Sequence, residues 1–283
     1  MLVSIFKTAK ILFLGTILLI GNASSCQSNK TDGSKTHKQN ISPRTDSLSY
    51  RDTSIMQISP YFAENDGNAD TTYAKITYPI FSDSAMNNIV KANILLDGEP
   101  SIEVYLGNFI ESYGNFIEEN NVKYNLAWDK ETIVRVELNS PDLIMLNSST
   151  YEFSGGAHGN SFTIWSVYDV HNYEKLELNT FISENKMKEF TKIAERFFRR
   201  EEGLADTASL EDEYFFENDE FALAANYGIS KEGIIFYYNS YEIKPYAEGP
   251  TYLSIPYEDI LDCMTQTGKN YIKKLKEYYN SIQ

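Results

Sequence analysis

Between Glu131 and Val170, strand-like runs follow one another with no room for a helix. They are ETIVRVEL, PDLIMLN, STYEFS and SFTIWSVYDV. Strands joined by such short connections run antiparallel, because a parallel pair needs a crossover of a dozen residues or more. Ser140-Pro141-Asp142 is the turn expected between the first two. In the first run, Ile133 and Val134 alternate with Arg135 and Glu137, as in a strand with one buried face. A second group comes later: FALAANYGIS, a turn at Lys231-Glu232-Gly233, then IIFYYN and TYLSIP.

Helical patterns flank these groups. ITYPIF (residues 76–81) reads as a strand, after which Ser82 or Asp83 caps a helix carrying Met86, Ile89, Val90 and Ile94. Asp97-Gly98 closes that helix. The next has Ile102, Tyr105, Leu106, Phe109, Ile110, Tyr113, Phe116 and Ile117 at helical spacing, a stripe wide enough to face a core. Residues 184–200 form a third helix, with Met187, Phe190, Ile193, Ala194, Phe197 and Phe198 on one face. Arg196, Arg199 and Arg200 lie near its C-terminus, where cations suit the helix dipole. Residues 201–220 are rich in acids, lack Lys and Arg, and read as a solvated loop. Residues 257–282 read as a last helix. Grouped strands and separate helices give an α+β fold. Two small subdomains are expected, 56–148 and 149–283, each a mainly antiparallel sheet packed by helices.

The N-terminus places this fold outside the cytoplasm. Lys7 and Lys10 precede the apolar run 11–20 (ILFLGTILLI), then come Gly21, Asn22, Ala23, Ser24, Ser25 and Cys26. That order is a secretory signal over residues 1–25. The run falls short of the ~20 apolar residues that span a membrane. NASSC resembles a bacterial lipobox, with Ala23 where Leu is commonest. It makes Cys26 the lipidation site and the membrane a partner through that anchor; cleavage after Ala23 or Ser25 is the alternative. Residues 26–55 are polar, cannot bury enough surface to offset ordering entropy, and read as a tether that includes His37. The outer membrane, facing the periplasm or the exterior, is the expected location.

Charge narrows the partners. Removing residues 1–25, which carry Lys7 and Lys10 and no acid, takes the formal charge from −15 to −17. Such a chain repels nucleic acid and attracts cations. Cysteine usage adds little: with Cys26 lipidated, Cys263 stands alone in DILDCM and reads as a buried, inert thiol.

Two segments stand apart from the demands of a core: residues 151–160 (YEFSGGAHGN) and 241–250 (YEIKPYAEGP), the latter followed by Ile255-Pro256-Tyr257. Gly155, Gly156 and Gly159 permit backbone angles and close approaches that side chains block. His158 among them can orient a turn, bind a ligand or do catalysis, and Asn160 closes the motif. Pro245, Gly249 and Pro250 stiffen the second loop, whose Tyr241, Glu242, Tyr246 and Glu248 give it an aromatic and acidic face. Buried packing of these tyrosines is the plain alternative.

In this order, the two segments resemble an extracytoplasmic domain family of unknown function, found in lysozyme-sensing anti-sigma factors of the RsiV type and in the N-terminal part of peptidoglycan deacetylases of the PdaC type. The block before residue 150 resembles the smaller domain that precedes it in that family. The resemblance implies an envelope binding or sensing module, with a lysozyme-like cationic protein or peptidoglycan as ligand. Tyr241, Glu242, Tyr246, Glu248 and His158 are then the binding residues. No HExxH, GxSxG or P-loop pattern appears, so no catalytic residue, metal or cofactor is assigned. A glycan hydrolase with a site at His158 and carboxylates such as Asp169 is the competing reading. A structural envelope lipoprotein is the third.

Overall fold

A computed structural model of the chain describes residues 47–65, 68–120, 126–211 and 213–282. The expected signal peptide, Cys26 and most of the expected tether lie outside the described residues. Five strands form the first sheet in the order β1 (Tyr50–Asn65), β2 (Asn68–Phe81), β3 (Asp129–Asn139), β4 (Leu143–Phe153) and β5 (Asn160–Asp169). Neighbours run antiparallel except β2 and β3, which are parallel. That pair needs a crossover. It is supplied by α1 (Ser84–Ala92), capped by the Asp83 carboxylate, and α2 (Ile102–Asn120).

The second sheet is β6 (Tyr227–Ile229), β7 (Gly233–Tyr238) and β8 (Thr251–Pro256), all antiparallel. Around it lie α3 (Leu178–Phe181), α4 (Met187–Glu201), α5 (Tyr257–Ile260) and α6 (Gln266–Ser281). The α+β class holds, with mainly antiparallel sheets packed by helices.

Strand β4 explains how two cores coexist. Ile144 and Leu146 join the core beneath α1 and α2, while Leu143 and Met145 join the core of the second sheet and α4. A strand buried on both faces reads as an unbroken apolar run, and Leu143 to Leu146 is one. The expected boundary between 148 and 149 therefore falls inside a strand. Residues 143–169 belong to the first sheet and wall both cores.

Other boundaries also move. The tether expected to reach residue 55 ends sooner. Leu48 is buried, its N–H and C=O both bonded to the Asn139 amide, and Tyr50 to Ile55 already pair with Phe81 to Ile76. β1 is an edge strand held by backbone bonds, so it tolerates a polar sequence that composition alone cannot separate from a linker. In FALAANYGIS only Tyr227–Ile229 pair. Asn226 instead turns its amide to β5, accepting from Trp165 N–H at 2.7 Å and donating to the Thr163 carbonyl at 2.8 Å. Asn239 does likewise with Thr163 N–H at 2.7 Å. Two side-chain amides thus occupy the outer edge of β5.

The expected last helix is broken at residues 261–265. There Ser183 N–H bonds to Cys263, Thr265 N–H bonds to Phe181, and Ile182 bridges Met264. Thr265 then caps α6 through Gly268 N–H at 2.8 Å. Gly268 backs onto Phe181, where a Cβ would lie 2.7 Å from the backbone. Cys263 is buried as expected, and burial pushes its thiol up.

The acidic segment departs most from expectation. Its carboxylates are largely exposed, but Leu210, Tyr214 and Phe216 between them are buried. The two aromatic rings gather on Phe198 of α4, with centroids 5.1 Å away for Tyr214 and 5.5 Å for Phe216. Charge counting finds the exposed acids and overlooks the interleaved aromatics. Among the described residues no helix is long and apolar enough to cross a membrane.

Candidate functional site

The two motif loops meet. Residues 154–159 link β4 to β5, and Gly155 and Gly156 take φ values of +90° and +104°, open to glycine and strained for other residues. Gly159 is buried against Tyr151, and a Cβ there would sit 2.4 Å from that ring. Asn160 opens β5 opposite Glu152, with its side chain exposed.

The second loop follows β7 and alternates its attachments. Glu242 accepts Asn239 N–H at 2.8 Å and closes the first turn. Ile243 is buried and its carbonyl accepts Phe215 N–H. Lys244 bonds both oxygens of Glu202, at 3.2 and 3.0 Å, and Tyr214 Oη donates to the same carboxylate. Pro245 leads into a 3-10 turn, residues 246–248, that ends at Gly249 with φ +70°. Tyr246 and Tyr241 thereby point away from these anchors, toward the glycine loop.

There they form an aromatic shelf with His158. His158 stacks on Tyr246, centroids 4.0 Å apart and planes at 12°. Tyr241 lies 5.2 Å from Tyr246 and 6.5 Å from His158. Tyr246 Oη and His158 Nδ1 both approach the Gly159 carbonyl at 2.9 Å. A carbonyl only accepts, so His158 carries its proton on Nδ1 and turns Nε2 to Tyr241 Oη, 3.4 Å away. Tyr241 is 53% exposed, and His158 is exposed too. Glu248 is exposed beside the shelf. Of the expected binding residues, His158, Tyr241 and Tyr246 come together. Glu242 serves its own turn.

The carboxylate imagined beside His158 is elsewhere. Asp169 ends β5, about 30 Å of strand from the glycine loop at ~3.3 Å per residue. It accepts His171 N–H and Asn172 N–H through one oxygen and Tyr271 Oη through the other. Asp142 nearby is bonded by Lys274 and His171 at 2.6 and 3.0 Å. Partial burial pushes its carboxyl up, but the interactions with Lys274 and His171 outweigh this and hold it below the usual range. This cluster ties the β3–β4 turn to α6. Among the described residues no carboxylate is bonded to His158, and no group of His, Cys, Asp and Glu is arranged to hold a metal.

A groove of about 600 Å³ opens beside the shelf. Its floor is the outer face of β3 to β5, where Arg135 pairs with Asn147 and Ser149 pairs with Thr163. Farther along that face, Met145 and Val167 are covered by the second core. The face turns polar where the cover ends. Tyr246 and Tyr252 flank the groove. Sequence reading missed this surface and the Lys244–Glu202 anchor. Lys244 stood inside a motif already singled out, whereas the groove's polar residues are scattered over three strands with no local signal.

Residues 179–258 match the family described as a protein of unknown function, DUF3298, and residues 65–161 match the family described as deacetylase PdaC. The resemblance read from the sequence therefore holds. GGAHGN lies in the PdaC-type segment, not in the second domain to which sequence reading assigned it. The fold is similar to the crystal structure of a DUF3298 family member from Bacteroides fragilis NCTC 9343. The TM-score is 0.66 at 23% identity, over 82% of this chain and 99% of that one. A DUF3298 family protein from Pseudomonas aeruginosa PAO1 is similar at TM-score 0.59 and 18% identity, over 79% of this chain and 97% of that one. No curated protein matches the chain.

Proposed function

We propose that this chain, built from a PdaC-type segment followed by a DUF3298 segment, is a lipid-anchored binding module of the cell envelope. Its ligand is a lysozyme-like cationic protein or peptidoglycan. The observation that carries this reading is the shelf: three rings from two separate loops, two of them held by the Gly159 carbonyl and the third, Tyr241, set against His158. Exposed aromatics pinned in this way lose little entropy on contact, which makes them good anchors. The acidic chain around them favours a cationic partner.

Anchoring rests on Cys26 after NASS. Radioactive palmitate should label the protein, and Cys26→Ala should abolish the label. A variant that still labels refutes lipidation at this residue.

Calorimetry with hen lysozyme and with purified peptidoglycan tests the ligand. Binding should weaken as salt rises, since charges are screened over ~8 Å at physiological ionic strength. It should not vanish, because ring packing is insensitive to salt. Tyr241→Ala removes an exposed ring and spares the packed interior. It should speed dissociation about tenfold, ~1.4 kcal/mol, and barely change association. No heat with either ligand at low salt would sink this reading.

A further inference from the structure

We propose that the groove between β3–β5 and the 246–252 loop binds a short stretch of acidic polysaccharide, with the Arg135 guanidinium receiving a sugar carboxylate. The inference rests on the envelope reading only for where such glycans are met. It concerns a surface distinct from the shelf, shared at Tyr246.

The lining is the first argument. The Ser149 and Thr163 hydroxyls bond each other at 3.1 Å, which leaves one O–H donor and further acceptor capacity, and Asn147 adds an amide. The Asn147 Nδ2 is bonded to Glu137 at 2.9 Å, while its buried Oδ1 has no partner among the described residues. Tyr252 is 59% exposed, packed edge-on against Tyr237 at 4.7 Å. Tyr246 also lines the groove. A hydroxyl-bearing floor beside flat rings suits pyranoses, which present equatorial hydroxyls at their edges and apolar C–H faces above and below. The volume falls within the ~300–1,000 Å³ range of small-ligand clefts.

Charge gives the second argument. Arg135 is exposed and makes no ion pair or hydrogen bond among the described residues. Lys130, on the same strand, is paired with Glu152 at 3.2 Å. A free guanidinium in the groove of a chain at formal charge −15 is a planar fork open to a carboxylate. Long-range repulsion from the acidic surface slows the approach of an anion, but it is screened within ~8 Å, so the contact pair decides selectivity. Glu248 is the acid in the lining and sits on the loop side. It disfavours a second carboxylate at that wall.

Titration of the full-length chain in detergent, followed by NMR or calorimetry, tests this with three probes. They are trigalacturonate, the disaccharide N-acetylglucosaminyl-N-acetylmuramic acid, and neutral chitotriose. Both acidic probes should bind, the uronate standing for secreted polysaccharide and the muramyl sugar for cell wall. Chitotriose should bind at least tenfold more weakly. Arg135→Gln should bring the acidic probes down to the chitotriose level, and Tyr252→Ala should weaken all three. Preference for one acidic probe identifies the source of the glycan and leaves the site assigned. The inference fails if none of the three binds, or if Arg135→Gln keeps the acid preference. Lysozyme or peptidoglycan binding that Tyr241→Ala weakens, without any saccharide binding, would sink the groove and keep the envelope reading. Saccharide binding without either larger ligand would do the reverse.

Discussion

Phe198→Ala is expected to lower the stability of the protein by about 3–5 kcal/mol, the usual range for a buried phenylalanine truncated to alanine. The side chain is fully buried in α4. Its ring meets Tyr214 and Phe216 edge-on, at 70° and 78°, and Phe221 at 5.2 Å. These three rings attach the acidic segment and the chain leading into β6. Their removal from contact leaves a cavity that a segment crowded with exposed carboxylates cannot collapse to fill. At about 2–4 °C per kcal/mol for a chain of this size, the melting temperature should fall by about 6–20 °C. Thermal or urea denaturation followed by circular dichroism measures it. Limited proteolysis should cut first between residues 204 and 221. A loss under ~1.5 kcal/mol would mean that the aromatic cluster does not hold the segment.

The second large effect is expected at Lys244. Lys244 and Glu202 have side chains only 11% and 18% exposed. Removing one member of a mostly buried pair leaves the other charged and poorly solvated. Lys244→Ala should cost about 2–4 kcal/mol, a little under the range for fully buried pairs. The same change frees the 241–250 loop from the segment after α4, so shelf binding should weaken as well, mainly through faster dissociation. Lys244→Met combined with Glu202→Leu separates the two effects, because an apolar replacement of a buried pair is often neutral or stabilising. The double variant should recover most of the stability. If it is as unstable as Lys244→Ala, the geometry of the loop and not the stranded charge carries the loss.

Much of the fold was legible in local pattern. Asp83 caps α1, the stripe from Ile102 to Phe116 faces a core, and Ser140-Pro141-Asp142 turns between β3 and β4. These features depend on neighbours three or four residues away, which one sequence displays. The site was half legible. GGAHGN and YEIKPYAEGP were visible as segments that a core does not require, and their rings are the shelf. What each residue does within them was not visible. Glu242 carries the charge expected of a binding residue yet closes its own turn, and Ile243 and Lys244 hold the loop from behind. His158 read as a residue that could orient a turn or bind a ligand, with nothing local to choose between them. It does bond the Gly159 carbonyl, and it is also exposed and stacked for contact.

The sequence by itself determined most of the elements, the α+β class and the resemblance to the two families. Each follows from periodicity, capping, turn residues or contiguous motifs, all short-range properties. Only the tertiary structure decided where one subdomain ends and the other begins, because β4 is shared and an unbroken apolar run does not say which face meets which core. It alone decided that polar residues 50–55 join an edge strand through backbone bonds that leave no trace in composition. It brought Tyr246 to the Gly159 carbonyl and Tyr241 to the His158 ring, both some 80 residues earlier in the chain. It also gathered Arg135, Asn147 and Thr163 from three strands onto one face. The physical reason is common to all of these. Pairing register, shared faces and loop-to-loop contact are long-range choices, set by which surfaces must leave water together and not by the order of the residues that form them.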